Sequence, residues 1–218
     1  RDVERSRGLG DVYKRQTIQT ALARGEAFCC ALLVSFLCYN FFGDDMKNML
    51  IINGSPREDG ACAELIKQVK PYFIDCRIIQ YNTYDLAPAP CRDCKYCEYH
   101  DGCYNKDLDL FFEDFENADY IAFFTPVYNN FFPAPLKAVI DRFQRYFSAR
   151  FKRGANPPIE KFKRVGVVIA AGSNARAASD FMVNTLKQSF AVLGGEVCAR
   201  YFIPNTDIGK YTFNNIEL

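Results

Sequence analysis

The 218-residue sequence has almost no net charge, and its only histidine is His100. Its 27 lysines and arginines are nearly matched by 26 aspartates and glutamates, which leaves a formal net charge of +1. A nucleic-acid-binding domain usually carries a basic stripe, so this balance argues against that class. The single histidine offers no Ser/His/Asp arrangement, and no candidate active-site loop pairs two carboxylates. We therefore assign no catalytic side chain, and acid–base hydrolysis is unsupported.

Long apolar runs are equally scarce, since AFCCALLVSFLCYNFF at residues 27–42 is the only one. It resembles the apolar region of a signal peptide, or a membrane anchor too short to span comfortably, but no small-residue cleavage motif follows it. The opening RDVERSRGLGDVYKRQ resembles a translated sequencing-adaptor tail, and a well-patterned domain begins at Met46. We interpret residues 1–45 as translated non-coding sequence rather than a targeting segment. We expect one domain over residues 46–218, without membrane attachment and truncated after its fifth strand.

Ten cysteines could indicate a secreted disulfide scaffold, but such scaffolds are small and rich in loops. This chain instead has apolar runs of strand type and amphipathic helices, so it does not need disulfides for a core. We therefore expect a reduced, cytoplasmic compartment. Cys76 and Cys198 fall within predicted strands, and we interpret them as small buried hydrophobic residues.

Four cysteines are concentrated in CRDCKYCEYHDGC, residues 91–103, with the spacing C-x2-C-x2-C-x5-C. Two successive two-residue gaps allow three thiolates to converge on one centre, which is typical of iron–sulfur ligation. Structural zinc more often uses two separated knuckles, and a loop of redox-active thiols without metal is the third alternative. The candidate metal ligands are Cys91, Cys94, Cys97 and Cys103.

From residue 46 onward, apolar runs of strand length alternate with segments of helical periodicity. Five strands separated by helices predict right-handed crossovers and a mostly parallel α/β sheet with helices on both faces. The predicted strands span residues 48–54, 74–84, 119–128, 164–172 and 196–204, and the predicted helices span 61–73, 107–118, 134–147 and 178–194.

Ligands of such sheets bind beyond the carboxyl ends of the strands, where the winding reverses. Three loops, at residues 54–60, 125–131 and 171–177, lie at such ends. In the first loop, Ser55 offers a hydroxyl and Arg57 a fork of donors suited to phosphate, just before a helix N-terminus. Taken alone, each loop could equally be a plain turn.

The motifs MLIINGSPREDG, TPVYNNFFPAPLKAVIDR and VIAAGSNAR, in this order and spacing, resemble the flavodoxin-like NAD(P)H-dependent FMN reductase family over essentially the whole predicted domain. The resemblance implies a flavodoxin-like five-stranded parallel sheet of order 2-1-3-4-5, FMN at its switch point and NAD(P)H as co-substrate. Ser55 and Arg57 would hold the phosphate, and residues 126–130 would line the flavin ring. The implied cofactor-binding residues are Ser55, Arg57, Gly60, Ala61, Cys62, Pro126, Val127, Tyr128, Asn129, Asn130, Gly172 and Ser173.

Ala61-Cys62 departs from this family pattern, because relatives often carry Asn-Thr or Ser-Thr after the loop glycine. The change removes hydroxyl or amide partners from the phosphate. Backbone amides and Arg57 would therefore contribute more of the binding.

The cysteine spacing, placed after the second strand, resembles the iron–sulfur flavoproteins, a branch of the same family with a [4Fe–4S] cluster. This implies Cys91, Cys94, Cys97 and Cys103 as ligands, a homodimer or homotetramer, and a nicotinamide or ferredoxin-type electron donor. We expect a cytoplasmic FMN-dependent oxidoreductase with an unidentified acceptor. Two alternatives are a non-enzymatic electron carrier, although carriers are usually strongly acidic, and a flavin-free module in which the four cysteines bind zinc.

Overall fold

A computed structural model of the chain describes residues 46–73 and 76–208, and the interpretation of residues 1–45 concerns a segment outside the described residues. Strands and helices alternate along the chain. The strands are β1 (Lys47–Asn53), β2 (Cys76–Asn82), β3 (Tyr120–Pro126), β4 (Lys163–Ala170) and β5 (Gly195–Ile203). The helices are α1 (Ala61–Val69), α2 (Thr83–Leu86), α3 (Tyr96–Tyr99), α4 (Asp109–Asn117), α5 (Ala134–Asp141), α6 (Gln144–Phe151) and α7 (Arg176–Leu193), with a 3₁₀ turn at Lys70–Tyr72. None of the helices in the described ranges is long and apolar enough to cross a membrane.

The five strands form one parallel sheet in the order β2-β1-β3-β4-β5, which confirms the predicted flavodoxin-like fold. The central strands β1, β3 and β4 are nearly continuous apolar runs and are buried, because helices cover both faces of the sheet. The edge strands β2 and β5 are only partly buried. The winding reverses at β1 and β3, so a crevice opens beyond their carboxyl ends.

Side chains that alternate along the central strands supply a core on each face of the sheet. Met49 and Ile51 of β1 pack with α1 on one face. Leu50 and Ile52 of the same strand pack on the other face, which is rich in aromatic rings from α4 to α7. The rings of this aromatic core belong to Phe111, Phe112, Phe115, Phe143, Tyr146 and Phe190.

Two predicted helices differ from the observed ones: one ends earlier than predicted, and the other is divided in two and continues to Phe151. The helix predicted over 61–73 stops at Val69, where Pro71 enters a 3₁₀ turn. The helix predicted over 134–147 consists of α5 and α6, because Arg142 N donates to both Ala138 O and Val139 O and so tightens the last turn of α5. Arg142 lies at this break, directly after the last residue of α5.

Candidate functional site

The loop from β1 to α1, residues 54–60, is held in place by polar contacts at its start. Ser55 N donates to Asn53 Oδ1 (3.0 Å), and Arg57 N donates to Ser55 Oγ (3.2 Å). From the end of β2, Asn82 Nδ2 donates to Ser55 O (3.1 Å). Ser55 is therefore buried and immobilised between two strands, whereas the Arg57 side chain is exposed.

Helix α1 begins without a side-chain cap, and its N-terminus lies next to this loop. Gly60 occupies the N-cap position in an extended conformation and has no side chain to accept from the first amides. A Cβ at Gly60 would lie 2.9 Å from the Cβ of Arg57, so a larger residue would displace the loop. The free N–H groups and the positive end of the helix dipole suit an anion such as phosphate.

A cavity of about 500 Å³ lies at the carboxyl ends of β1, β3 and β4. The structure brings together at this cavity most of the residues predicted to bind a cofactor, although their binding roles stay predictions. The predicted residues that line it are Ser55, Arg57, Gly60, Ala61, Cys62, Pro126, Val127, Tyr128 and Gly172. Four further lining residues, Asp59, Ala170, Thr206 and Asp207, were not identified from the sequence.

Asn129, Asn130 and Ser173 are exposed and do not line the cavity. The two asparagines form the tip of a turn in which Tyr128 N donates to Phe131 O (2.9 Å) and Phe131 N to Tyr128 O (3.0 Å). Their φ angles are 48° and 62°, in the left-handed region that asparagine tolerates and that a two-residue turn of this kind requires. The Asn-Asn pair therefore shapes the turn next to Tyr128.

Asp207 reaches the cavity from the segment after β5. Thr206 N donates to Ala171 O (2.9 Å), which holds this segment against the loop after β4. A Cβ added to Gly172 would lie 2.1 Å from Asp207 Oδ2, so the carboxylate occupies the space beside this glycine. The sequence contained one indication of this role, because the fifth parallel strand ends at the same edge of the sheet as the other four.

The charges around the cavity are unequal. Among the described lining residues, Arg57 is the one cationic side chain, and two carboxylates, Asp59 and Asp207, line the same cavity. Burial raises the pKa of the Cys62 thiol from 9.0 to about 12, so this side chain is neutral at physiological pH. Binding of a phosphate would therefore depend on Arg57 and on backbone N–H groups.

A second candidate site lies in the four-cysteine loop, which we define as residues 88–107. The middle of this loop packs on α6 and on the residues after it. Arg153 donates to Cys97 O and pairs with Asp101 Oδ1 (3.0 Å). Cys97 Sγ lies 3.4 Å from Ser148 Oγ of α6. These contacts fix the loop against α6 near its third cysteine.

A cavity of about 520 Å³ is lined by the four-cysteine loop, by Arg142 and by α6, and all four predicted metal ligands line it. Their side chains are free thiols. The lining charges are mostly positive, which suits thiolates and the sulfide of a cluster. The charged lining residues are Arg92, Lys95, Lys106, Arg142 and Arg145, against Asp93 and Glu98.

The four thiols share a cavity without forming a finished ligand sphere. Among the residues that the structure describes, no group of three Cys, His, Asp or Glu side chains is arranged to hold a metal ion. The donor chemistry therefore fits a thiophilic metal or cluster, whereas the ligand geometry would require side-chain movement on binding.

A family model described as NADPH-dependent FMN reductase matches residues 47–207. This range extends from the first residue of β1 to Asp207. It contains the whole sheet and both cavities.

Two curated relatives match much of the chain, and each is named iron-sulfur flavoprotein. The relative from Methanosarcina thermophila is 31% identical over 171 residues, which cover 76% of this chain and 82% of the relative. The relative from Archaeoglobus fulgidus is 29% identical over 153 residues, which cover 67% of this chain and 72% of the relative.

Solved structures with the same fold include reductases of low sequence identity. The NAD(P)H:quinone oxidoreductase from Methanothermobacter marburgensis superposes with a TM-score of 0.62 at 15% identity, covering 78% of this chain and 89% of that one. The FMN-dependent NADH-azoreductase from Bacillus anthracis, solved in complex with FMN, has a TM-score of 0.55 at 18% identity, covering 75% and 90%. At such low sequence identities, the structural similarity establishes only that the fold is shared.

Proposed function

Since this chain belongs to the NADPH-dependent FMN reductase family, in its iron–sulfur flavoprotein branch, we propose that it passes electrons from NADPH, NADH or a reduced ferredoxin-type carrier through FMN to an acceptor. The chain is an oxidoreductase with a flavodoxin-like fold. One observation carries the proposal: the cavity at the carboxyl edge of the sheet joins the three loops on which the family resemblance rests.

The start of α1 fits the phosphate of FMN. The uncapped amides of the helix, the Ser55 hydroxyl and the Arg57 guanidinium lie around one end of the cavity, and all are donors. Gly60 allows the chain to pass close to Arg57 without a side chain in the way. Cys62 contributes a neutral, buried thiol, so we propose that the phosphate charge is balanced by Arg57 and the helix N-terminus.

The loops after β3 and β4 would hold the flavin ring. Pro126, Val127 and Tyr128 line this part of the cavity, with Gly172 and Asp207 from the loops after β4 and β5. When bound, FMN accepts two electrons as a hydride and can release them singly, so the chemistry is that of the cofactor. The chain would position the ring and set its electrostatic surroundings, and no side chain is needed as an acid or base.

We also propose that Cys91, Cys94, Cys97 and Cys103 hold a [4Fe–4S] cluster. Three observations support this: the thiols line one cavity, the other lining charges are mainly positive, and one buried guanidinium N–H beside the cavity has no partner among the described residues. The names of both curated relatives agree with the proposal. A zinc ion and a metal-free thiol loop are the competing outcomes.

We propose further that the chain works in the cytoplasm as a homodimer or homotetramer. The free thiols suit a reducing compartment. Phe147 and Phe151 of α6 are 43% and 55% exposed with ring centroids 4.6 Å apart, and they offer an apolar patch for a second copy. Light scattering of the purified chain tests this, and a monomer at all concentrations would contradict it.

The electron-transfer proposal can be tested on the full chain purified without oxygen. We expect flavin absorption peaks, which NADH or NADPH bleach, and iron and labile sulfide that depend on Cys97. Cys198→Ser is the matched control for Cys97→Ser, because Cys198 lies in β5 away from both cavities. Flavin that neither NADH nor NADPH reduces, but that reduced ferredoxin does reduce, would identify a non-enzymatic electron carrier. A colourless, zinc-loaded protein would contradict the proposal.

A further inference from the structure

Arg142 is a buried cation that neither the proposed FMN site, the cavity at the carboxyl ends of β1, β3 and β4, nor the hydrophobic core explains. It follows the last residue of α5, and only 2% of its side chain is exposed. A buried guanidinium requires partners for its charge and for its N–H groups, since removing an ion from water is costly. Its partners therefore indicate what the side chain does.

The partners of Arg142 lie at the two ends of the four-cysteine loop. Its Nη1 donates to Ala89 O (3.1 Å), before the first cysteine, and its Nη2 donates to Asn105 O (2.6 Å), after the last. Nη1 also pairs with Asp107 Oδ1 (2.9 Å), whose other oxygen accepts from Ala89 N (2.8 Å). One side chain therefore joins the arms that enter and leave the segment containing all four cysteines.

A further N–H of Arg142 is left without a partner. Nε is buried and makes no hydrogen bond in the part of the chain that the structure describes, although Arg142 lines the cysteine cavity. Native proteins rarely leave a buried N–H of a charged group unsatisfied, so such a group calls for an acceptor. The thiol sulfurs that share the cavity are acceptors once they are deprotonated.

We propose that Arg142 is a positioning residue that holds the four-cysteine loop ready for its metal centre and keeps its Nε–H for a sulfur of that centre. The second part rests on the proposed function, because it requires a cluster, whereas the first part concerns the metal-free protein. Arg145 and Lys106 line the same cavity, but neither joins the two arms of the loop as Arg142 does: Arg145 pairs with Glu116 and Lys106 with Asp109. This difference separates Arg142 from the other cations of the cavity.

The experiment compares the wild-type chain with Arg142→Gln and Arg142→Lys. Arg150→Gln is the matched control, because Arg150 lies on α6 and donates to Ala191 O of α7 rather than to the loop. Hydrogen–deuterium exchange is measured on reduced, metal-free protein, and thermal unfolding checks that each variant is folded. After anaerobic reconstitution, iron, sulfide and the midpoint potential are measured by chemical assay and by redox titration followed with electron paramagnetic resonance.

We expect amides of residues 88–107 to exchange about tenfold faster in Arg142→Gln, because several charge-assisted bonds that hold the loop are lost. Arg142→Lys should also loosen the loop, since one ammonium cannot reach both arms, but it keeps the charge. The cluster of Arg142→Gln should have a lower midpoint potential than that of Arg142→Lys, because a nearby cation favours the reduced, more negative state. Wild type should have a higher potential than Arg142→Lys, because lysine keeps the charge but lacks the Nε–H that donates to sulfur. Equal potentials in these two proteins would overturn the second part of the inference.

The outcomes separate this inference from the proposed function. Unchanged exchange at residues 88–107 in both Arg142 variants would overturn the inference even if the wild-type chain binds a cluster. Equal loosening in Arg150→Gln would also overturn it, because the effect would then be general. A wild-type chain that binds no iron or sulfide would contradict the cluster proposal and the second part, whereas the exchange measurement would still decide the first.

Discussion

Arg57 provides a direct test of the proposed phosphate site. Arg57→Gln removes the one cation among the described lining residues of the cavity at the carboxyl ends of β1, β3 and β4 and leaves Asp59 and Asp207 in place. The Arg57 side chain is exposed, so its loss leaves no buried group without a partner. We therefore expect the variant to fold normally and to bind FMN more weakly.

The expected loss of FMN affinity follows from the exposure of the Arg57 side chain. A hydrogen bond to a charged group contributes about 1.5–3 kcal/mol, and the lower value applies to an exposed donor. This predicts about tenfold weaker FMN binding by Arg57→Gln, since 1.4 kcal/mol corresponds to a factor of ten. Arg57→Lys keeps the charge but loses the paired N–H donors of the guanidinium. Its FMN affinity should therefore lie between those of wild type and Arg57→Gln. Higher salt should reduce the difference between wild type and Arg57→Gln.

The assay is a fluorescence titration of flavin-free protein with FMN and, in parallel, with riboflavin. Riboflavin has the same ring but no phosphate, so its affinity should be equal in wild type and Arg57→Gln. An unchanged FMN affinity would refute the reasoning, because the helix N-terminus alone would then hold the phosphate. Equal weakening of FMN and riboflavin would also refute it, since Arg57 would be acting on the ring or on the fold.

Three further predictions concern the contribution of Lys163 to stability, the role of Gly172 in flavin binding, and Cys103 as a cluster ligand. Lys163 is buried, and its Nζ donates to Glu116 O and Ala118 O (2.8 Å) at the end of α4, so Lys163→Met should cost about 3 kcal/mol in chemical denaturation. Burial lowers the pKa of Lys163 from 10.5 to about 8, so the unfolded state binds more protons above pH 8. Wild-type stability linked to this group therefore rises as pH increases above about 8 and is lost as pH falls through about 8. The difference in the free energy of unfolding between wild type and Lys163→Met should widen from pH 7 to pH 9 by on the order of 1 kcal/mol. A difference that does not change with pH would contradict the lowered pKa. Gly172→Ala should displace the exposed Asp207 carboxylate, leave the melting temperature nearly unchanged and weaken FMN and riboflavin alike, whereas weakening of FMN only would place Gly172 at the phosphate. Cys103→Ser should lower iron and sulfide per chain after reconstitution while FMN binding persists, and equal iron in Cys103→Ser and wild type would exclude this cysteine as a ligand.

Periodicity was enough to predict a mostly parallel sheet, whereas the strand order 2-1-3-4-5 was predicted from the family resemblance. The apolar runs of β1, β3 and β4 are nearly continuous because both faces of these strands are covered, and turn residues mark their ends. Helix ends were predicted less well, since the apolar positions of residues 134–147 continue across the break between α5 and α6. A local bifurcated bond at Arg142 ends α5, and periodicity carries no information about it.

The candidate site was predicted in part. Ser55, Gly60 and Tyr128 could be found because glycine, proline and polar residues cluster at strand ends. Asn129 and Asn130 belong to the same motif but lie at the tip of a turn, since their positive φ angles direct the chain back toward Phe131. Asp207 was missed because the end of the fifth strand at the same edge of the sheet does not show which residue of NTDIG reaches the cavity.

The sequence by itself determined which residues form strands, that the strands run parallel, and that four thiols occur together after β2, because these properties depend on local pattern and spacing. Only the tertiary structure decided that Asp207 lies beside Gly172 and that Arg142 is buried between the arms of the four-cysteine loop. Both contacts join segments that are distant along the chain. Their physical reason is the packing of loops at the edges of the sheet, where charge and hydrogen bonding, rather than apolar periodicity, determine which side chains meet.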